Sequence, residues 1–119
     1  MIFLARIGDS TAKFKPHAVI LDITVKDDPE HILSPTWQMV QDFKNGNITW
    51  KEYKQQYVTL LERRFKTRKQ EFIALTKMAM AHPVYFRCYC PSDETCHRSI
   101  AKRAIERLMM VIRKEEKNA

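Results

Sequence analysis

Two short apolar runs near the start of the chain have the length and composition of β-strands. The first covers residues 2–7 and is followed by turn residues at positions 8–10. The second, residues 18–25, is continuous and rich in β-branched side chains, which is typical of a central strand covered on both faces. A third run at residues 84–90 alternates its side chains between two faces, as a strand does.

Between the second and third strands, apolar residues recur at helical spacing. Ser34 and Pro35 have the capping and first-turn preferences that begin a helix. Trp37, Val40 and Phe43 form its apolar stripe. A first helix is therefore predicted directly after Ser34.

A second helix begins at a capping box, in which Thr49 and Glu52 satisfy free backbone N–H groups reciprocally. Tyr53 and Tyr57 lie on its apolar stripe. Two interpretations of its length remain open, because the helical pattern either continues towards Pro83 or breaks near Lys66.

A last helix is predicted to start around residues 96–98. The residues expected on its inner face are Ala101, Ala104, Ile105, Leu108 and Ile112. The element order β, β, α, α, β, α predicts an α/β fold: a small single domain over residues 1–119, with a mostly parallel sheet of few strands flanked by helices. The short connection before residue 18 leaves open whether the first two strands are parallel.

Charge and composition narrow the classes of partner. The formal net charge of +7 favours an anionic partner such as a nucleotide, nucleic acid or an acidic protein, although it also suits a merely solvated surface. No apolar run approaches the ~20 residues of a membrane span, and the amino terminus lacks the features of an export signal. We therefore expect a cytoplasmic protein without membrane contact, whose three cysteines are free thiols.

Candidate chemistry is concentrated between Cys88 and Arg98, where the third strand runs through a polar loop into the last helix. In open α/β sheets, ligands bind beyond the carboxyl ends of the strands. Free N–H groups at the helix start favour an anion there, and Arg98 offers a bidentate donor for phosphate or carboxylate. The sequence thus predicts an anion-binding pocket at this turn.

Three residues of this segment are candidate catalytic groups. Cys96 lies at a helix start beside His97 and Arg98, which predicts a lowered thiol pKa and nucleophilic character. Cys90 is the alternative nucleophile, and His97 is suited to act as an acid or base near neutral pH. Each residue also has a purely structural interpretation: a buried thiol, an imidazole bonded to a backbone carbonyl, or a guanidinium in a salt bridge.

Cys88, Cys90, Cys96 and His97 are also residue types that bind zinc. The spacing argues against this interpretation, because Cys-x-Cys on a strand differs from the usual Cys-x-x-Cys knuckle. We therefore predict no metal site and no cofactor, and we interpret Cys88 as a small buried hydrophobic residue.

A second candidate interface is basic. Its residues lie close together in the second helical segment and are Arg63, Arg64, Lys66, Arg68 and Lys69. Such a cluster can contact nucleic-acid phosphates, although a solvated helix face is the alternative. Trp37, Trp50, Tyr53 and Tyr57 can stack on bases, but their helical spacing favours core packing.

Several blocks of the sequence resemble the domain of unknown function 488 family, in its short stand-alone branch from bacteria and phages. They run from about residue 19 to 108 and are Leu21-Asp22-Ile23-Thr24-Val25-Lys26, Pro35-Thr36-Trp37, Asn45-Gly46, Thr49-Trp50-Lys51-Glu52-Tyr53, Gln56-Tyr57, Cys88-Tyr89-Cys90 and Cys96-His97-Arg98. The resemblance implies an α/β fold with the Cys-His-Arg turn at its functional face, and it implies no established activity. It also suggests that Asp22 and Lys26 point into the same pocket as Arg98.

Three functions follow as hypotheses. In the first, a small anionic molecule such as a nucleotide binds to Asp22, Thr24, Lys26 and Arg98, with or without turnover at Cys90, Cys96 and His97. In the second, the basic helices bind nucleic acid. In the third, the chain is a phage-type interaction module that acts on a host protein. The oligomeric state is left open.

Overall fold

The computed structural model describes residues 1–91 and 95–118. Ser92, Asp93 and Glu94 of the predicted polar loop therefore lie outside the described residues. Within the described part, the elements in chain order are β1 (Ile2–Arg6), β2 (Val19–Asp22), α1 (Trp37–Lys44), α2 (Trp50–Thr67), α3 (Lys69–Ala81), β3 (Val84–Cys88) and α4 (His97–Asn118).

These strands form one parallel sheet in the order β1-β3-β2. Ile2 of β1 and Val19 of β2 both align with Val84 of the central strand. The prediction of a small α/β fold with a mostly parallel sheet and flanking helices is confirmed. The first two strands run in the same direction although they are not neighbours.

β2 lies at an edge of the sheet, so the prediction that residues 18–25 form a central strand was wrong. Ile20 keeps 41% of its surface exposed. The strand ends at Asp22, and Ile23 and Val25 are buried in the turn that follows it. The long apolar run therefore combines a short edge strand with a buried turn.

All the strands end at the same edge of the sheet because they are parallel. The backbone N–H of Ile7, just beyond β1, donates to the carbonyl of Cys88 at 2.9 Å. The N–H of Ile23, just beyond β2, donates to the carbonyl of Arg87 at 3.0 Å. The segments that leave the sheet at its carboxyl edge are thereby held against the central strand.

The first helix is capped by Thr36, whose hydroxyl accepts from the N–H of Met39 at 3.2 Å. The predicted start at Ser34 was wrong because that side chain serves the preceding loop. Ser34 is fully buried, and its hydroxyl donates to the carbonyl oxygens of Asp28, at 2.6 Å, and Thr24, at 3.3 Å.

The predicted capping box at the start of α2 is confirmed. The hydroxyl of Thr49 accepts from the N–H of Glu52 at 3.1 Å, and the Glu52 carboxylate accepts from the N–H of Thr49 at 3.0 Å. The helical segment then breaks at Arg68, where φ is −128° and ψ is 37°. Of the two interpretations left open, the break is therefore the one observed, shortly after Lys66.

The core lies between the sheet and the helices. Its fully buried apolar side chains include Ile23, Leu33, Tyr57, Phe86 and Ile105. The predicted inner face of α4 is confirmed: its buried or partly buried residues include Ala101, Ala104, Ile105, Leu108 and Ile112.

The aromatic residues of α1 and α2 differ in burial. Tyr53 and Tyr57 are core residues, as their helical spacing predicted. Trp37 departs from that prediction, because half of its surface is exposed at the start of α1.

Candidate functional site

A pocket of about 360 Å³ opens at the carboxyl edge of the sheet. Its walls come from the turn after β2, from α1 and from the segment that joins β3 to α4. This volume lies within the range of about 300–1,000 Å³ that is typical of small-molecule sites. The sequence-predicted site residues that line it are Thr24, Lys26, Cys90, Cys96 and His97.

A larger cavity of about 480 Å³ lies between α2 and α4. It is lined by apolar side chains such as Leu61, Phe65 and Ile100, together with Arg103 and Arg107. Among the described residues that line it there is no cysteine or histidine. The pocket at the sheet edge is therefore the candidate site.

Three thiols and one imidazole meet at the floor of this pocket. The Sγ of Cys88 lies 3.6 Å from the Sγ of Cys90, and the Sγ of Cys96 lies 3.7 Å from the Nδ1 of His97. The Sγ atoms of Cys88 and Cys96 and a ring nitrogen of His97 all lie within 4.8 Å of one another. All but Cys90 are buried, and Cys90 is half-buried.

Local structure explains how these groups converge. Cys88 ends β3 and Cys90 follows two positions later, just beyond the strand, and this short separation along the chain lets their Sγ atoms lie side by side. Cys96 and His97 return to that place where α4 begins. The hydroxyl of Ser99 donates to the carbonyl of Cys96 at 2.9 Å, which satisfies a backbone acceptor at the helix start.

His97 is held in one orientation. Its Nε2 lies 2.5 Å from the carbonyl oxygen of Ile23. Because a carbonyl only accepts, Nε2 is the donor in this hydrogen bond, and in the neutral imidazole Nδ1 then presents its lone pair towards Cys96. The ring of Tyr57 packs edge to face against the imidazole at a centroid distance of 5.5 Å, and its hydroxyl is fixed by the carbonyl of Leu33 at 2.6 Å.

The three thiols affect one another's protonation. Hydrogen bonds from Cys90 and Cys96 hold the pKa of the Cys88 thiol below its ordinary value. The hydrogen bond of Cys96 to Cys88 raises the pKa of Cys96, and its burial adds to this effect. The expectation of a lowered pKa at Cys96 was therefore wrong, because Cys96 donates to the thiol that ionises most readily.

The rim of the pocket carries positive charge and aromatic rings. Lys26 comes from the turn after β2 and Lys44 from the last turn of α1. The Nζ of Lys26 lies 5.2 Å from the ring centroid of Tyr89. Tyr89 and Trp37 keep 42% and 50% of their surfaces exposed. A flat ring can stack on such side chains while an attached anion reaches the ammonium groups.

The hydroxyl of Thr24 is used within the turn that carries Lys26. It donates to the carboxylate of Asp27 at 2.5 Å and accepts from the backbone N–H of Asp27 at 3.0 Å. Thr24 thus shapes the wall of the pocket, and its side chain is only 5% exposed.

Arg98 does not line the pocket, although it follows His97 directly. It is 1% exposed, and its guanidinium donates to the carbonyl oxygens of Ala5 and Cys90, the latter at 2.9 Å. The structure therefore brings the thiol of Cys96 and the imidazole of His97 to the pocket and places the guanidinium behind its floor.

Asp22 is also outside the pocket lining. Its carboxylate accepts from the Nε of Arg87 at 2.6 Å and from the Nη2 at 3.0 Å. The two residues align with each other across β2 and β3. Successive side chains of a strand point to opposite faces, so this ion pair lies on the other face of the sheet from the Cys88 thiol.

Two residues of the basic cluster, Arg64 and Arg68, form hydrogen bonds to backbone carbonyls of the same chain. The Nη1 of Arg64 donates to the carbonyl oxygens of His31, Ile32 and Ser34 at 2.5–3.2 Å. Arg68 donates to the carbonyl of Glu30 at 2.8 Å and pairs with Glu71. The exposed members of the cluster are Arg63, Lys66 and Lys69.

Sequence reasoning did not assign three residues of the rim to the pocket: Lys44, Tyr89 and Trp37, the last of which was considered for base stacking but expected in the core. A signal existed for two of them, because Trp37 and Tyr89 belong to the blocks that resemble a known family. Lys44 gave no local signal, since only the tertiary fold places the end of α1 beside the pocket.

The family described as the active DUF488-N3 subclade matches residues 6–108. The chain belongs to this family. The DUF488 match extends from the end of β1 into α4 and includes every thiol and imidazole of the pocket floor. Neither the curated proteins nor the solved structures contain a significant match. Across residues 1–91 and 95–118, no helix has the length and apolar character needed to cross a bilayer.

Proposed function

We propose that this DUF488 protein binds a small, flat, negatively charged molecule of the nucleotide class in the pocket at the carboxyl edge of the sheet. The observation that carries this proposal is the composition of the rim. Two ammonium groups, from Lys26 and Lys44, and two exposed rings, from Trp37 and Tyr89, border one cavity. The three free thiols suit a reducing compartment, so we place this function in the cytoplasm.

The two kinds of rim residue have complementary roles. Stacking of a base on an aromatic side chain contributes about 1–3 kcal/mol and tolerates different bases. An ammonium group on a flexible stem adjusts to a phosphate as a point charge. The protein's net charge of +7 strengthens the attraction of an anion to this mouth. The proposed ligand therefore needs both a ring and a negative group.

The floor sets the chemistry that a bound molecule would meet. Cys90 is the half-buried thiol on the pocket side, whereas Cys96 and His97 are almost fully buried. We therefore assign to Cys90 the direct contact with the ligand, while the buried His97 shapes the floor beneath it. Arg98 acts on this site indirectly, by holding the carbonyl of Cys90.

A fluorescence titration tests the proposal. In a Trp50→Phe variant, Trp37 is the remaining tryptophan and reports on the pocket. Nucleoside monophosphates with each of the common bases are compared with the matching nucleosides and with inorganic phosphate. We expect the monophosphates to bind about tenfold or more tightly than either part alone, because only they use both the rings and the ammonium groups.

Calorimetry on variants then assigns the contacts. We expect Lys26→Met and Lys44→Met each to weaken binding by about fivefold or more, since each removes one ammonium group from the mouth. Lys77→Met, which removes an exposed charge on α3, is the matched control. Equal binding of phosphate and nucleotide, or an equal loss in the Lys77 variant, would contradict the proposal.

A further inference from the structure

The floor of the pocket is built from thiols and an imidazole, the ligand types that soft and borderline divalent metal ions prefer. We propose that Cys88, Cys90, Cys96 and His97 form a tetrahedral site for a divalent metal ion of the zinc class. This inference goes beyond the proposed nucleotide binding and does not depend on it.

The distances between the ligand atoms carry the first step. The Sγ atoms of Cys88 and Cys90 are 3.6 Å apart, and the Sγ of Cys96 is 3.7 Å from the Nδ1 of His97. In a tetrahedral zinc site, with usual zinc–sulfur and zinc–nitrogen lengths, neighbouring ligand atoms are about 3.5–3.8 Å apart. The ligand atoms of Cys88, Cys96 and His97 also all lie within 4.8 Å of one another.

The orientation of His97 is an independent observation that points to the same ligand. A histidine that binds a metal usually donates its other ring N–H to a carbonyl or carboxylate, which fixes the tautomer. His97 has this arrangement, because its Nε2 is directed at the carbonyl of Ile23 at 2.5 Å. Its Nδ1 lone pair therefore faces the thiols, where an ion would lie.

The folded chain also answers the objection from sequence spacing. Cys-x-Cys differs from the usual knuckle, but here the pair is completed from α4 by Cys96 and His97 rather than by a second short motif. Two ligands come from the end of the central strand and two from the start of the helix that packs on it. A metal ion at this point would join the sheet to α4.

The charge balance is favourable. On binding, the thiols release their protons to solvent and the imidazole keeps its proton on Nε2. Three thiolates, a neutral imidazole and a divalent cation carry a single net negative charge. The guanidinium of Arg98 donates to the carbonyl of Cys90 at 2.9 Å, so a permanent positive charge lies directly behind the ligands.

Cobalt substitution tests this site on the full chain. The reduced protein, freed of metal by a chelator, is titrated anaerobically with Co²⁺ alone and then with Zn²⁺ alone. We expect thiolate-to-cobalt charge-transfer bands, visible bands of tetrahedral cobalt, saturation at one ion per chain, and displacement by one equivalent of Zn²⁺. Octahedral cobalt without charge-transfer bands would overturn the proposal.

Variants assign the ligands. Cys90→Ser should lower the charge-transfer intensity by about a third, and His97→Gln should weaken zinc binding by about tenfold or more. His82→Gln changes an exposed histidine at the end of α3 and should bind as the unmodified chain does. Equal binding by the His82 and His97 variants would contradict the assignment.

A second measurement on the unmodified chain does not depend on the folding of any variant. One equivalent of Zn²⁺ should slow the reaction of all three thiols with a disulfide reagent by about tenfold or more, and a chelator should restore it. Unchanged reaction rates, or recovery of the chain with a Cys88–Cys90 disulfide that takes up no metal, would overturn the proposal. Lys26→Met and Lys44→Met should bind cobalt normally, so failure of nucleotide binding and failure of metal binding are distinguishable.

Discussion

The guanidinium of Arg98 on α4 donates to the carbonyl oxygen of Cys90 at 2.9 Å. It also donates to the carbonyl of Ala5 on β1. One buried side chain therefore connects the first strand, the last helix and the segment that carries a pocket thiol. This makes Arg98 a positioning residue of the site, since it acts on the pocket through Cys90.

Arg98→Lys is expected to destabilise the protein by about 2–4 kcal/mol. The lysine keeps the buried charge, but its single ammonium group cannot reach both carbonyl oxygens as the planar fork does. Urea unfolding measures the change, and Arg113→Lys on the exposed end of α4 is the control, with an expected change below about 0.5 kcal/mol. Equal stability of the two variants would show that the connections made by Arg98 contribute little.

Arg64→Met is expected to lower the free energy of unfolding by about 2 kcal/mol, because the carbonyl oxygens of His31, Ile32 and Ser34 lose a charged donor. Burial lowers the pKa of Arg64, which reflects the cost of placing its charge there. Arg63→Met removes the exposed neighbour on the same helix and should change stability by less than about 0.5 kcal/mol. If both variants lose the same amount of unfolding free energy, the hydrogen bonds of Arg64 contribute no more to stability than an exposed charge does.

Features that depend on neighbouring residues along the chain could be predicted from the sequence. The capping box of Thr49 and Glu52 is one, because each partner satisfies a backbone group three positions away. The strand order could not be predicted, because it depends on which strands pair in space rather than on neighbours along the chain. The edge position of β2, which leaves Ile20 exposed, was therefore not predicted either.

The same distinction applies to the site. The sequence predicted a pocket at the strand-to-helix turn, and Cys90, Cys96 and His97 do line one pocket there. The direction of Arg98 did not follow, because successive residues of a helix point about 100° apart. His97 therefore faces the pocket while Arg98 faces β1.

Asp22→Asn tests whether the Asp22–Arg87 ion pair of the sheet is independent of ligand binding in the pocket. Asp22 and Arg87 are partly exposed, so we expect the substitution to cost less than about 1 kcal/mol in unfolding free energy. Nucleotide affinity should stay unchanged, because the carboxylate lies on the opposite face of the sheet from the thiols. Calorimetry beside Lys26→Met provides the comparison, and an equal loss of affinity in both variants would show that Asp22 reaches the ligand.

His31 is expected to make stability depend on pH in the mildly acidic range. Burial lowers its pKa below the ordinary value of 6.5, the charges of Arg68 and Arg64 add to this, and Asp28 opposes it. In addition, its Nδ1 accepts from the N–H of Leu33 at 3.0 Å, which a protonated ring cannot do. The folded state therefore binds fewer protons than the unfolded state just below pH 6.5.

The sign of the effect follows from that difference. The contribution of His31 is fully present above its unfolded pKa of 6.5 and is lost as the pH falls towards the lower folded value. Urea unfolding at a series of pH values from neutral to mildly acidic measures the slope. His31→Asn keeps a side-chain acceptor that does not titrate, so the slope should flatten. His82→Asn, at an exposed position, should keep the slope of the unmodified chain; a slope that persists in the His31 variant would assign the pH dependence to another group.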